Sequence, residues 1–312
     1  MAYIERTNAE ALIPEETSHN IIEESIKRSA ILPLANRMAN MVAKQSSVPV
    51  MTGSVHASFI NGDTGLKPTS NMTWDKVVMT AEELAVIVPI PEAVLADADY
   101  DIFGEVRPRI VEAFSLAIDA AILHGTNKPL SWPDGLVPAA IAAGNGVAYS
   151  GNLYQDINGE DGVIAKVEEA GIAVNSYLGA LKLRAKLRAA VDTAGQPIFR
   201  TAYSNGDAGR MMYELNGSPI VFPENGSLDG DQALLLAGNF NYVRYAMRQD
   251  MTYKILDQAT LTDASGNVIL NLAQQDCVAL RAVMRLGWAI PRPVNIISGV
   301  NYFPFAVLQP SA

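Results

Sequence analysis

Three histidines, one cysteine, four acid pairs and one basic cluster are the side chains of this 312-residue chain whose types and spacing could do chemistry. His19, His56 and His124 could ligate a metal or move protons. They lie far apart in sequence with no nearby cysteine and no HExxH spacing, so each reads as a structural or surface residue. Cys277 could act as a nucleophile only with a base and a polarised site beside it. It sits inside the apolar run CVALRAVMRLGWA and reads as a packing residue. The pairs Glu15-Glu16, Glu23-Glu24, Glu82-Glu83 and Glu168-Glu169 could supply general acid and base. Adjacent residues point in different directions on a helix and to opposite faces of a strand, so no pair converges locally. Lys182, Arg184, Lys186 and Arg188 form two i,i+4 pairs on a helix, a pattern for a solvated or intersubunit salt-bridge face and, less readily, for nucleic-acid contact. No GxxxxGK(S/T) loop, GxGxxG turn or GxSxG elbow occurs. No catalytic, cofactor-binding or metal-ligating residue is therefore assigned, although triads can assemble from distant positions.

Composition narrows the classes further. With 49% hydrophobic and 18% charged residues the chain suits one or two folded domains. Its mean hydropathy of +0.12 points to apolar surface covered by other copies. Thirty-three acidic against 23 basic residues give a formal charge of -10, which opposes tight binding of nucleic acid. A lone cysteine cannot form an intrachain disulfide and fits a reducing cytoplasm. The N-terminus lacks the basic-then-apolar pattern of a secretory signal. No apolar run approaches the roughly 18–20 residues that span a bilayer.

The elements that must position these residues begin with 101–124, DIFGEVRPRIVEAFSLAIDAAILH. Phe103, Val106, Ile110, Phe114, Ala117 and Ala121 recur at steps of three and four, which predicts a helix with one apolar stripe, capped by Asp101 and roughly 35 Å long. Pro108 removes a donor and crowds the carbonyl of Gly104, so a kink is expected there, or a start near Pro108. Residues 1–45 are acidic and then amphipathic through Ile21, Ile22, Ile26 and Ile31, a segment that needs a partner surface, either as an ordinary surface helix of its own domain or as an arm on a neighbouring subunit. Val55, Ala57 and Phe59 alternate as in a strand. Further extended runs are expected at 74–80 and 84–90, with a loop tip at 62–71. A two-stranded ribbon projecting there would be marginal in water unless it lay on something else; the alternative is a hairpin packed within its own domain.

Residues 125–162 are dense in Gly, Asn and Pro and read as loop with short strands. A helix is expected at 162–170, a short strand at 171–174, and a helix from Asn175 or Ser176 to about Ala190. A buried strand is expected at 217–222, completing an α/β-type half. Strands are then expected at 233–237, 243–247, 252–256, 268–272 and 277–289. In the last, Cys277, Ala279, Arg281, Val283 and Arg285 share one face and Val278, Leu280, Ala282, Met284, Leu286 and Trp288 fill the other, which fits an extended strand with one buried face.

Five blocks in order carry a resemblance: TWDKVVMTAEELAVIVPIPEAVLAD at 73–97, the long helix ending in ILHG with DGLV at 134–137, NSYLGALKLRAKLRAAVDTAGQPIF at 175–199, NGSPIVFPE through LDQA at 216–259, and QQDCVALRAVMRLGWAIPRP at 274–293. Together they resemble the HK97-type major capsid proteins of tailed bacteriophages, from about residue 70 to the C-terminus. The resemblance implies an α+β HK97 capsid fold with residues 1–45 as N-arm and 46–80 as the extended ribbon loop. Residues 81–125 and 239–290 would form the peripheral domain with its spine helix, and 126–238 and 291–312 the axial domain.

It implies a structural, non-enzymatic protein that assembles with itself, as hexamers and pentamers, into the icosahedral head enclosing double-stranded DNA, with no cofactor and no membrane. Its other partners would be a portal, a possible decoration protein and DNA held without tight specific binding. The arm begins almost at once, so a separate scaffolding protein is expected. The place would be the virion capsid, built in the bacterial host cytoplasm. Some members crosslink a ribbon lysine to an asparagine near the start of the last long strand. Lys67 lies at the ribbon tip, but Cys277 stands about where the asparagine would be, so no self-crosslinking is expected. The alternatives are an encapsulin-like compartment shell, with the same fold around cargo enzymes, and an α/β enzyme with an unrecognised site.

Overall fold

The computed structural model describes residues 29–311 apart from 54, 56, 61–64, 100, 192–193, 204–210, 264 and 292–302. Along the chain, β1 (Asn36–Arg37) precedes β2 (Gln45–Gly53), β3 (Thr73–Thr80) and β4 (Glu82–Pro91), then the short α1 (Glu92–Asp97) and the long α2 (Ile102–Leu123). Next come α3 (Leu136–Ala142), β5 (Gly146–Ala148), α4 (Leu153–Asn158), α5 (Val163–Glu168), β6 (Ser176–Gly179) and α6 (Leu183–Ala189). Strands β7 (Phe199–Tyr203), β8 (Met211–Leu215), β9 (Ser218–Val221) and β10 (Leu235–Gly238) lead to β11 (Arg244–Leu256), β12 (Thr260–Thr262), β13 (Val268–Asn271), β14 (Cys277–Ala289) and β15 (Phe305–Gln309).

Two sheets share one core. The first is four-stranded in the order β1-β11-β14-β4. The second is seven-stranded and mixed, in the order β5-β15-β10-β6-β9-β8-β7. Ile110, Phe114, Ile118 and Ile122 of α2 pack against Leu280, Ala282, Met284, Leu286 and Trp288 of β14, and the same cluster takes in Leu178, Leu236 and Val307 of the second sheet. The central strands β6, β10 and β15 are buried on both faces. Tyr177, Leu235, Ala237, Ala306 and Leu308 turn to a second cluster under α4, α5 and α6. A strand covered on both sides reads as a continuous apolar run, which is what SYLG, LLAG and FAVLQ are.

Helix α2 runs 22 residues, roughly 33 Å. It begins at Ile102, not near Pro108, and is helical through Pro108. In the second turn the proline costs one backbone bond at the exposed Gly104 rather than a bond in the core. Asp101 precedes the helix, but its side chain makes no cap bond; its carbonyl accepts from Glu105 N at 3.2 Å. The stripe is rotated from the expected one: Ala117 is exposed, while Ile118, Asp119 and Ile122 are buried.

Other elements differ from the sequence reading. The strand expected at Val55–Phe59 lies earlier, at β2, and the described residues from 55 to 60 are irregular. The segment 125–162 holds α3 and α4, which the surrounding Gly and Pro conceal. Residues 171–174 are not a strand, and the helix expected from 175 to 190 is β6 followed by α6. Burial between β10 and β9 overrides the helical look of that stretch. The two strands expected at 243–247 and 252–256 are one strand, β11, with register shifts between them.

Strand β14 organises what lies outside the core. Its odd-numbered face is covered at one end by the β12–β13 hairpin, which packs on Cys277 and Ala279. At the other end the base of the β2–β3 ribbon covers it, with Val48 and Met79 in one cluster with Ala289. At Gly287 an added Cβ would lie 2.8 Å from Thr80 O and 3.0 Å from Met79 Cγ. Gly287→Ala should therefore push the ribbon base off the sheet and cost about 1–3 kcal/mol. A lowered denaturant midpoint with faster proteolysis in the ribbon is the expected result; an unchanged midpoint would show that the base shifts freely.

Candidate functional site

The chemistry the molecule does contain is a buried carboxylate. Asp119 lies on the core face of α2 with no exposed surface. Ala30 N donates to it at 2.7 Å, Ile31 N at 3.4 Å and Asn225 Nδ2 at 3.3 Å, and the Ser29 hydroxyl donates at 2.5 Å. Ser29 Oγ in turn accepts from Leu32 N at 3.2 Å, closing a turn that starts the described chain. Ile31 is itself fully buried in the main core. Asp119 thus pins the segment leading to the first 28 residues, the spine of the core and the loop before β10 at one point. Burial raises its carboxyl above the ordinary value of 3.8, and the donors from Ser29, Ala30, Asn225 and Ile31 pull the other way. Sequence reasoning missed it. The available signal was a lone acid among apolar neighbours in AIDAAIL, three residues before Ile122 on the buried stripe.

The sequence candidates are not brought together. His124 ends α2, and its Nε2 accepts from Asp229 N at 3.2 Å. Burial pushes its imidazole below the usual range, and Asp229, Gln232 and Ser227 oppose that. His19 and His56 lie outside the described residues, as do Glu15-Glu16 and Glu23-Glu24. Cys277 is buried under the hairpin, and burial raises its thiol above its ordinary value, with Asp276 and Glu92 adding to the rise. Glu82 and Glu83 diverge: Glu82 accepts from Ser131 Oγ at 2.7 Å and lies 3.7 Å from Lys44, while Glu83 pairs with Arg285. The basic cluster on and beside α6 also disperses. Lys182 pairs with Asp231 at 2.5 Å, Arg184 lies over the Tyr213 ring at 4.3 Å and Lys186 over Tyr149 at 4.0 Å. Among the described residues no group of three or more His, Cys, Asp or Glu could hold a metal ion, and no helix is long and apolar enough to cross a membrane.

The second feature is uncovered surface. Among the described residues the β2–β3 ribbon pairs with no third strand, and Trp74 is 64% exposed, with Val78 also open. Past the ribbon's end Phe59 and Leu66 are exposed. Lys67 is exposed in the same irregular stretch.

A long helix laid across a β-sheet, a projecting ribbon and a second mixed-sheet lobe sharing its core make the HK97-type capsid fold. Residues 9–300 match the phage capsid family, and the chain belongs to it. It is 31% identical over 221 residues to the major capsid protein of Staphylococcus phage 80alpha, covering 70% of this chain and 63% of that protein. Among solved structures, a chain of Microbacterium phage Oxtober96 superposes with a TM-score of 0.79 at 34% identity, covering 99% of this chain and 100% of that one. A chain of Mycobacterium phage Adephagia gives a TM-score of 0.79 at 30% identity, covering 100% and 99%.

Removing the Asp119 carboxylate should leave Ser29, Ala30, Ile31 and Asn225 without their acceptor. Asp119→Ala is expected to cost about 3–5 kcal/mol in denaturant unfolding and to open the chain near residue 30 to protease. The native state holds the Asp119 proton more tightly than the unfolded chain does. Its titration therefore contributes stability that is fully present below about 3.8 and is lost as pH rises through the higher native value. Measured against Asp119→Asn, wild-type stability should fall with rising pH across that window; parallel pH profiles would refute the assignment.

Proposed function

We propose that this chain is the major capsid protein of a tailed phage, building the icosahedral head around double-stranded DNA. The observation that carries the reading is the ribbon: a family member whose two strands leave the body with exposed Trp74 and Val78 and, among the described residues, pair with no third strand. Such a ribbon is stable only when it lies on a neighbour. Residues 46–80 would be that overlapping loop and 1–45 the arm. Residues 81–125 and 239–290 would form the peripheral domain, and 126–238 and 291–312 the axial domain around the five- and six-fold axes. The role is structural rather than catalytic. The partners in this reading are further copies in hexamers and pentamers, a separate scaffolding protein, a portal, a possible decoration protein and the packaged DNA, in a virion assembled in the host cytoplasm. A formal charge of -10 suits a wall that should not grip its contents.

Expressed with its neighbouring genes, the chain should sediment as megadalton particles with shell outlines in electron micrographs. A discrete small oligomer under those conditions would overturn the reading. Denaturing gels of intact particles should show a single monomer band, because Cys277 has no carboxamide for Lys67 to attack; a covalent ladder would refute that.

A further inference from the structure

Five Asn-Gly pairs stand in the chain, beginning at Asn61, Asn145, Asn158, Asn216 and Asn225. In such a pair the backbone nitrogen of the glycine can attack the side-chain amide carbon of the asparagine, since no Cβ hinders the approach. Asn61 lies outside the described residues. Three of the others are arranged against that reaction. Asn145 Nδ2 donates to Phe303 O at 3.1 Å and Phe305 O at 2.9 Å, acceptors with no proton to give a leaving amine. Gly159 N, which would attack Asn158, is engaged by Gln155 O at 2.8 Å. Asn216 Nδ2 donates to Asn158 Oδ1, again an acceptor without a proton.

Asn225 differs at each reacting atom. Its Oδ1 accepts from Ser227 N at 3.0 Å, a turn that folds the side chain back along its own backbone and places a donor where a tetrahedral oxyanion would form. Its Nδ2 donates to Asp119 Oδ2 at 3.3 Å, so the leaving nitrogen faces a buried acid. Burial holds that carboxyl nearer its protonated form than an ordinary aspartate, which suits it to give a proton away. Gly226 is exposed at φ +72°, and an added Cβ would meet nothing within 4 Å, so its nitrogen is unhindered and open to water.

We propose that Asn225-Gly226 is a self-modification site, where Gly226 N displaces the Asn225 amide nitrogen as ammonia and Asp119 is the catalytic acid. The bond from Gly226 N to Asn225 Cγ forms and the Cγ–Nδ2 bond breaks. Asp119 gives its proton to Nδ2, and the proton shed by Gly226 N returns to Asp119 through water. The products are a cyclic succinimide and ammonia, and water then opens the ring to aspartate or isoaspartate at 225. Nothing is oxidised or reduced. The new carboxylate faces Asp119 where a donor stood, so the buried acid loses one of its four hydrogen bonds and gains a like charge. The loop before β10 and the turn at Ser29–Ile31, both tied to Asp119, loosen together. The inference is independent of the shell reading.

The test follows purified full-length chain held warm at neutral pH, folded and separately in urea, by digestion and mass spectrometry. The peptide holding Asn225 should first show loss of ammonia and then the mass of aspartate, with isoaspartate present. Asn225 should convert at least about tenfold faster in the folded chain than in urea, whereas Asn145, Asn158 and Asn216 should convert more slowly when folded. That comparison needs no variant to fold. Asp119→Asn should lower the folded rate at Asn225 at least about tenfold and leave the other three sites unchanged. Asn225→Asp, which installs the product directly, should speed proteolysis near residue 30 about tenfold or more. An Asn225 that converts no faster folded than in urea, or equally fast in Asp119→Asn, would overturn the site. Unchanged cleavage in Asn225→Asp would overturn the loosening that the reaction is assigned to cause.

Discussion

A carboxylate with no exposed surface sets the frame on which everything else in this molecule hangs. Taking one ion out of water costs several kcal/mol even after relaxation. Each hydrogen bond to a charged group returns about 1.5–3 kcal/mol. Asp119 has four donors, from Ser29, Ala30, Ile31 and Asn225. Burial outweighs the donors, so the carboxyl is still pushed toward its neutral form. The balance holds only while all three elements stay in register. The chain that emerges from the first 28 residues is therefore committed to one exit, beside the C-terminal half of α2.

From that fixed helix the covered and uncovered faces follow. Trp288 of β14 meets Trp132 edge-on with ring centroids 6.4 Å apart, and Trp132 Nε1 donates to Thr80 O at 3.1 Å. The core of the helix is thereby tied to the root of the ribbon. The backbone bond from Ala81 N to Lys44 O at 2.7 Å and the close approach of Gly287 to Thr80 hold this root. A rigid root and a bare outer length make the ribbon a lever rather than a loose loop.

How much of this was legible depended on period. Strand β14 was readable because thirteen residues keep an alternating face, and its bounds match the expected ones. Helix α2 was readable in extent, but its stripe was read one position off at Ala117. Propensity cannot say that Asp119 takes a core position. Ser176–Gly179 looked helical because Tyr and Leu fit a helix as well as a strand and ALKL continues a helical pattern; only pairing with β10 and β9 decides. The alternation of Val55, Ala57 and Phe59 was real but lies beyond the paired strands. The resemblance supplied the fold, whereas the role of the carboxylate was invisible. Its meaning lies in what crosses from 90 residues away.

An assembly surface leaves little trace in sequence for a physical reason. A catalytic site must hold a few groups at fixed spacing, so its residue types are constrained and recur as motifs. A shell contact needs only enough attraction to hold a neighbour already positioned by other contacts. A site with a dissociation constant near 1 mM is worth about 4 kcal/mol. Once a first contact is made, the second acts at an effective concentration of that same order, so two weak seats behave as one strong one. Arm, ribbon and lobe can each be modest, and none need be conspicuous. What marks them is surface that makes no sense on a lone chain, such as an exposed Trp74 on a strand face.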